Sequence, residues 1–210
     1  LFANDNTGTS LVEQPGSTKA DGVAPRFIAS FKISDAVSLN AQASRGFRLG
    51  GINDPLNVSL CTAEDLVTFG NRDSWTDETA WNYEVGVKSR LAGGRAAINL
   101  SAFYMDIRDL QLSVTAGSCS SRLIFNVPKA RSQGVELEVT ASPSDNLDFS
   151  VTAGLNNSEL RSTITSAGNV VSGMKAGNRL PSVPQIQVTS AATYQWQVSP
   201  GSRGFVTGSV

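Results

Sequence analysis

The sequence predicts an all-β protein, an antiparallel up-and-down β-barrel that spans a membrane, with this chain supplying about eight of its strands. Three observations predict it. Apolar and polar residues alternate through runs of about ten residues, whereas ordinary strands average about 5–6. The links between these runs alternate short and long along the chain. Aromatic residues fall toward the ends of the runs.

The runs justify themselves in order. Residues 25–33 (PRFIASFKI) read as the first strand. In 37–48, Val37, Leu39, Ala41 and Ala43 alternate with Ser38, Asn40, Gln42 and Ser44. Strand side chains point to opposite faces in turn, so one face is apolar and the other polar. In 81–90, Trp81, Tyr83, Val85 and Val87 alternate with Asn82, Glu84, Gly86 and Lys88. Strands over 96–114 and 124–141 follow. The clearest hairpin is 135–156, where Val135, Leu137, Val139 and Ala141 precede the turn Pro143-Ser144-Asp145-Asn146. Leu147, Phe149, Val151, Ala153 and Leu155 then resume the apolar face. Strands at 185–198 and from 204 onward complete the set, within which Tyr194 and Trp196 lie near a strand end. No sustained helical period competes, and only 62–68 reads as a helical turn, capped by Thr62.

Alternation alone fits a soluble sandwich as well as a membrane wall. The links separate the two. Residues 34–36, 91–95, 142–146 and 199–203 are short, whereas 49–80, 115–123 and 161–184 are long. A membrane barrel collects short turns on its periplasmic rim and long loops on its outer rim. Strand length agrees, since about 9–11 tilted residues span a bilayer. The apolar face then meets lipid. The polar face lines a lumen, with Glu84, Lys88, Glu136 and Glu138 facing water or a plug.

Composition excludes several functions. Net charge is −1 with no basic cluster, which argues against a nucleic-acid partner. No apolar run is long enough for a membrane helix. The chain has no His, which removes His-based catalysis and ligation. Its two Cys lack zinc spacing, and Asp73, Asp77 and Glu78 lack a calcium-loop pattern. Gly93-Gly94 reads as a turn, not a phosphate loop. We expect no enzyme, no cofactor and no metal site. With no initiator Met or leader, and a final strand that stops partway, the chain reads as a piece of a longer barrel.

Five segments carry a resemblance: SRGFRLGGIN (44–53), WNYEVGVKS (81–89), AINLSAFYMDIRDLQL (97–112), ARSQGVELEV (130–139) and RLPSVPQ (179–185). Together, over about residues 24–198, they resemble the C-terminal half of the barrel of TonB-dependent outer-membrane receptors. The matching residues are Arg45-Gly46-Phe47, Glu84-Gly86-Lys88, Phe103-Tyr104 with Asp109 and Gln111, Gly134-Glu136-Glu138, and Leu180-Pro181 with Pro184. The resemblance implies one partial barrel domain over 1–210, belonging to a plugged barrel of 22 strands. It implies uptake of a scarce solute such as a ferric siderophore. Energy would come from the TonB complex through an N-terminal plug region, and the partners would be outer-membrane lipid and the solute. A passive pore and a soluble β-sandwich binding module are the alternative readings.

Within that barrel, the loop-side end of the lumen offers Arg48, Asn53, Asp54, Trp75 and Arg122 as ligand contacts. Arg48 shares the luminal parity of Ser44 and Gly46, and Trp75 supplies a stacking face. Cys61 and Cys119 fall in long links on one rim, so a mutual disulfide is expected. Pairing of each with another part of a longer chain, or a free thiol, is the alternative.

Overall fold

The computed structural model describes residues 2–4, 11–13, 19 and 21–210. Eight strands form one antiparallel sheet: β1 (Arg26–Lys32), β2 (Val37–Arg48), β3 (Glu78–Leu91), β4 (Ala96–Thr115), β5 (Arg122–Ser144), β6 (Leu147–Leu160), β7 (Ile186–Ser199) and β8 (Ser202–Ser209). Their order in the sheet is their order in the sequence, with β1 and β8 at the two edges. Such a meander puts successive links at opposite ends. The links 33–36, 92–95, 145–146 and 200–201 share one end, and 49–77, 116–121 and 161–185 share the other.

Three small pairings lie outside this sheet. Phe2–Asn4 pairs with Leu11–Glu13, Gly51–Ile52 with Ser74–Trp75, and Thr165–Ser166 with Asn169–Val170. One α-helix, α1 (Ala63–Phe69), sits in the 49–77 link. Thr62 caps it by accepting from the Asp65 backbone N–H at 3.2 Å.

The central hairpin is longer than periodicity suggested. β4 runs for 20 residues and β5 for 23. A bilayer uses about 9–11 of them, so roughly half of each strand lies beyond the membrane, and its outer third also runs past the neighbouring strands β3 and β6. The link expected over 115–123 therefore shrinks to 116–121, and the turn expected over 142–146 shrinks to Asp145-Asn146. The register shifts between Leu147 and Phe149, opposite Pro143. A proline cannot donate to a ladder, and a bulge tolerates it.

Register carries each face across the sheet. Ala41, Val85, Ala102, Val135, Leu155 and Ile186 form one cross-strand row. Val85, Leu155 and Ile186 are each more than half exposed, so nothing in this chain covers that row. Trp81 stacks on Tyr83 at 6.1 Å, and Tyr83 pairs with Tyr104, at the long-link end of the apolar face. Tyr194 stacks on Trp196 at 6.2 Å at the other end. Aromatic rings at both limits of an uncovered apolar band are the expected girdles of a membrane wall.

The opposite face is polar. Asn40, Glu84, Lys88, Asn99, Glu136 and Glu138 line a groove of about 480 Å³ on it. Glycine sits where this face is crowded. A Cβ on Gly134 would lie 2.3 Å from the Leu155 carbonyl oxygen and 2.7 Å from the Phe103 ring. Phe103, directly opposite Gly134, occupies that space. Gly86 gives way similarly to the Asn40 amide, 3.0 Å from the position a Cβ would take.

The two faces predict unequal responses. Val151 belongs to the apolar face and its neighbour Ser150 to the polar face. Val151→Arg should cost about 2–4 kcal/mol near the midplane. Ser150→Arg should cost a small fraction of that. Reversible folding into lipid vesicles measures both, and equal costs would refute the assignment of faces.

Candidate functional site: a stapled loop cap over the polar face

At the long-link end the alternation of faces breaks, and the break builds the site. Ile107 and Ala130 lie opposite each other on the polar face and are buried. Three positions further out, Leu110 and Val127 should belong to the apolar face, yet they join the same buried cluster. Between them Asp109 takes a left-handed backbone (φ 53°). A residue in that region turns the strand so that the following positions exchange faces, and Asp tolerates it better than most. Across the ladder Pro128 has no N–H to hold the regular pattern. Beyond this point Leu123 and Phe125 continue the buried stripe.

The long links fold onto that stripe. From the 49–77 link, Phe69 of α1 meets Phe125 edge-on at 6.2 Å, and the Arg72 guanidinium lies 4.2 Å over the same ring. Burial holds the Arg72 pKa below its ordinary value. From the 161–185 link, Val171 and Met174 pack against the cluster beside Leu160. The buried apolar core among the described residues is therefore this cap, not the sheet.

A disulfide fastens the cap. Cys61 and Cys119 are bonded, with Cα atoms 4.2 Å apart, and tie the 49–77 link to the tip of the β4–β5 hairpin. Beside it, the Asp65 carboxylate accepts from the Ser118 hydroxyl at 2.6 Å and from its backbone N–H at 2.8 Å. These two bonds, the hydroxyl first, hold the Asp65 pKa below its ordinary 3.8. Ser118 in turn accepts from the Thr62 backbone N–H at 2.8 Å.

Three amide side chains act as surrogate strand partners. Asn53 is buried; its Oδ1 accepts from the Ile124 N–H at 2.7 Å and its Nδ2 donates to the carbonyls of Arg72 and Ile124. Asn126 donates to the Thr76 and Asp109 carbonyls at 3.0 and 2.8 Å and accepts from the Thr76 N–H at 2.8 Å. Gln111 donates to the carbonyls of Leu49 and Thr76 at 3.0 and 3.1 Å. Where the neighbouring strands have ended, these amides satisfy backbone groups that would otherwise lack partners.

The candidate ligand contacts are distributed unequally. Arg48 is ion-paired with Glu78 and donates to the Gln111 carbonyl at 3.2 Å, while Glu78 accepts from the Gln111 N–H at 2.7 Å. Trp75 lies flat over Gly51, where a Cβ would fall 2.4 Å from its ring. Arg48, Asn53 and Trp75 thus meet in the cap, bound into its framework. Asp54 and Arg122 lie at its exposed surface. Glu84, Lys88, Glu136 and Glu138 stand apart, lower on the polar wall, where Asn99 donates to Glu138 at 2.9 Å. Sequence reasoning gave no role to Asn126, Asp65 or Ser118. The one available signal was Thr62 followed three residues later by Asp65, a capping-box spacing.

A family model for "TonB dependent receptor-like, beta-barrel" matches residues 1–209. The chain belongs to that family. It is part of an outer-membrane β-barrel of a Gram-negative bacterium, and its fold recurs in solved structures. The ferric yersiniabactin uptake receptor FyuA from Yersinia pestis is 20% identical with a TM-score of 0.58, over 82% of this chain and 23% of that one. The siderophore receptor PiuA from Acinetobacter baumannii is 18% identical with a TM-score of 0.55, over 83% and 24%. The siderophore receptor PirA from Pseudomonas aeruginosa is 17% identical with a TM-score of 0.54, over 89% and 30%. The chain therefore spans about a quarter of the length of these structures. In a membrane barrel the apolar face meets lipid, the polar face lies toward the lumen, and long links gather on the outer rim, which is the end of this sheet that carries the stapled cap.

Two predictions test the cap. Asn53→Ala leaves backbone groups of Arg72 and Ile124 without partners, at a cost of about 1–3 kcal/mol. Amide hydrogen exchange at Ile124 should rise accordingly, and unchanged exchange would refute the clasp. The second concerns acid. A carboxylate whose folded pKa is depressed contributes fully above its free value and is lost as pH falls through the folded value. Exchange at the Ser118 amide should therefore rise as pH drops below 3.8, after correction for intrinsic rates. The Asp65→Asn variant should lose that dependence.

Proposed function

We propose that the intact receptor captures a scarce solute, a ferric siderophore, at this capped mouth. It then passes the solute through the lumen with energy from the TonB complex. The observation that supports this reading is the mouth itself, where long loops are stapled into one body over a charged luminal wall. Rigid loops reduce the ordering cost of binding, which favours capture of a dilute ligand.

The neighbours' names lend the substrate class further support, since several are siderophore receptors. A copper transporter, OprC, shares the fold at 15% identity and a TM-score of 0.53, over 80% of this chain and 23% of that one. The barrel alone therefore does not specify cargo. Arg122 and Asp54 are the exposed candidates for contact with the solute. Arg48 keeps a half-exposed side chain beside Glu78 that can turn part of its fork toward an anion. Glu84, Lys88, Glu136 and Glu138 serve as the wall against which a plug rests.

Uptake of radiolabelled iron by cells expressing the full-length receptor tests the reading. Arg122→Ala and Arg48→Ala should each weaken ferric-siderophore affinity about tenfold or more, the loss of one charge-assisted hydrogen bond. Deleting the energy-coupling complex should abolish uptake while leaving binding intact. Wild-type affinity in both variants would remove these residues from the site. Uptake independent of the coupling complex would turn the reading to a passive pore.

A further inference from the structure

The disulfide closes a ring that passes through the wall twice. Cys61 and Cys119 are the chain's two cysteines, 58 positions apart. Between them lie α1, the whole of β3 and the whole of β4. β3 and β4 pair from Thr79 with Arg108 at the long-link end to Leu91 with Ala96 at the short turn. The hairpin is therefore shut at both ends, by the 92–95 turn on one rim and by the staple on the other.

The two ends of this ring depend on different surroundings. The strands need lipid, because the chain leaves their outward side chains uncovered; Val85 on β3 and Leu100 on β4 are exposed. The stapled end needs only water and its own packing. Cys119 is fully buried, and Cys61 packs against the same cluster, with Phe69, Leu123 and Phe125. The contacts that align the sulfurs come from close neighbours in sequence. The Thr62 N–H donates to the Ser118 hydroxyl oxygen at 2.8 Å, and the Ser118 hydroxyl donates to Asp65 at 2.6 Å. All of these residues lie beyond the last rung that β3 and β4 share. The cap can thus assemble before the wall does.

The chemistry of the bond sets its place in the sequence of events. A cysteine thiolate attacks the disulfide of an oxidant, forming a mixed disulfide and releasing one oxidant thiolate. The second cysteine thiolate then attacks the mixed disulfide at the chain's own sulfur and releases the other. The two cysteines lose two electrons and two protons, and the oxidant takes them up as a dithiol. The first attack needs an open sulfur, and Cys119 has no exposed surface in the finished cap. Protein disulfide donors work in the periplasm, whereas the finished bond lies at the long-link end, the outer rim of a membrane barrel.

We propose that a periplasmic protein disulfide donor makes the Cys61–Cys119 bond first, and that β3 and β4 then enter the membrane as one covalently closed ring. Dithiol oxidation is thus the reaction that supplies the species the insertion step consumes. With its far ends already tied, the hairpin loses less chain entropy when it pairs. The order rests on the long links' lying on the outer rim, not on which solute is taken up.

The test follows the full-length receptor in growing cells, with every other cysteine replaced by serine. Pulse-labelled chains are quenched in acid, and a polyethylene-glycol maleimide adds mass at each free thiol. Chemically reduced wild type and the Cys61→Ser/Cys119→Ser variant mark the two extremes. Resistance to unfolding in cold detergent marks the inserted barrel. The bond should be complete on chains that are not yet resistant, and on the chains that accumulate when outer-membrane insertion is blocked. Resistant receptor that carries both thiols and loses them later would overturn the proposal. In cells lacking the periplasmic donor, receptor that inserts should keep both thiols, and oxidised glutathione added outside the cells should not close them. Closure to the wild-type extent under that treatment would overturn the proposal, whereas failure to insert in those cells would support the same order. An antibody against residues 49–77 should bind intact cells; its failure to bind would overturn the orientation and the crossing with it. Iron uptake is a separate readout, so its loss with early bond formation would count against the proposed solute alone.

Discussion

Backbone hydrogen bonding in hydrocarbon is the constraint on which the rest of this structure depends. Lipid offers no partner for an N–H or a carbonyl, so the wall must be a fully paired ladder. That requirement leaves side chains free to serve two solvents at once. One face turns to lipid and the other to a wet lumen, and neither becomes a core in the usual sense. Val85 and Leu155 on the lipid side and Glu136 and Glu138 on the luminal side are exposed in this chain for opposite reasons. Among the described residues the dry interior is displaced to the end where strands outrun the membrane. There the β4–β5 hairpin stands clear of its neighbours, and its ladder needs cover.

That displacement explains which features were legible in the sequence. The strand period, the link asymmetry and the aromatic girdles all follow from the membrane constraint, and all could be read from residue order. The faces were assigned correctly from Val37 to Leu91 and from Gly134 to Leu155, where only lipid and water set the pattern. Reading failed between Asp109 and Val127, because tertiary cover by the long links overrides alternation there. A single left-handed residue, Asp109, exchanges the faces, and no period reveals it.

The same cause limited the reading of the site. Arg48, Asn53 and Trp75 were chosen for residue type and position at the mouth. Their side chains are engaged by Glu78, by the Ile124 backbone and by Gly51, none of which is near them in sequence. Rim membership sufficed to bring Cys61 and Cys119 together, because one hairpin separates their links. It could not show that Asp65 and Ser118 close the same seam through hydrogen bonds. Coarse topology is set by the membrane and is local in sequence, whereas the cap is a small globular structure with long-range contacts.

The resemblance motifs gain physical content when placed on this architecture. Asp109 and Gln111 sit where the wall becomes the cap: the first turns the strand, and the second binds the carbonyls that the shorter strands leave behind. Gly134 lies lower on β5, opposite Phe103, where the Phe103 ring and the Leu155 carbonyl leave no room for a Cβ. Glu136 and Glu138 then begin the charged wall directly below. Asp109 and Gln111 therefore mark the boundary at which a ladder governed by lipid hands over to loops governed by packing. Above that boundary the disulfide and the amide clasps fix the positions of the loops. Exposed loop positions there, such as Asp54 and Arg122, can therefore change without disturbing the ladder that holds the wall in the membrane.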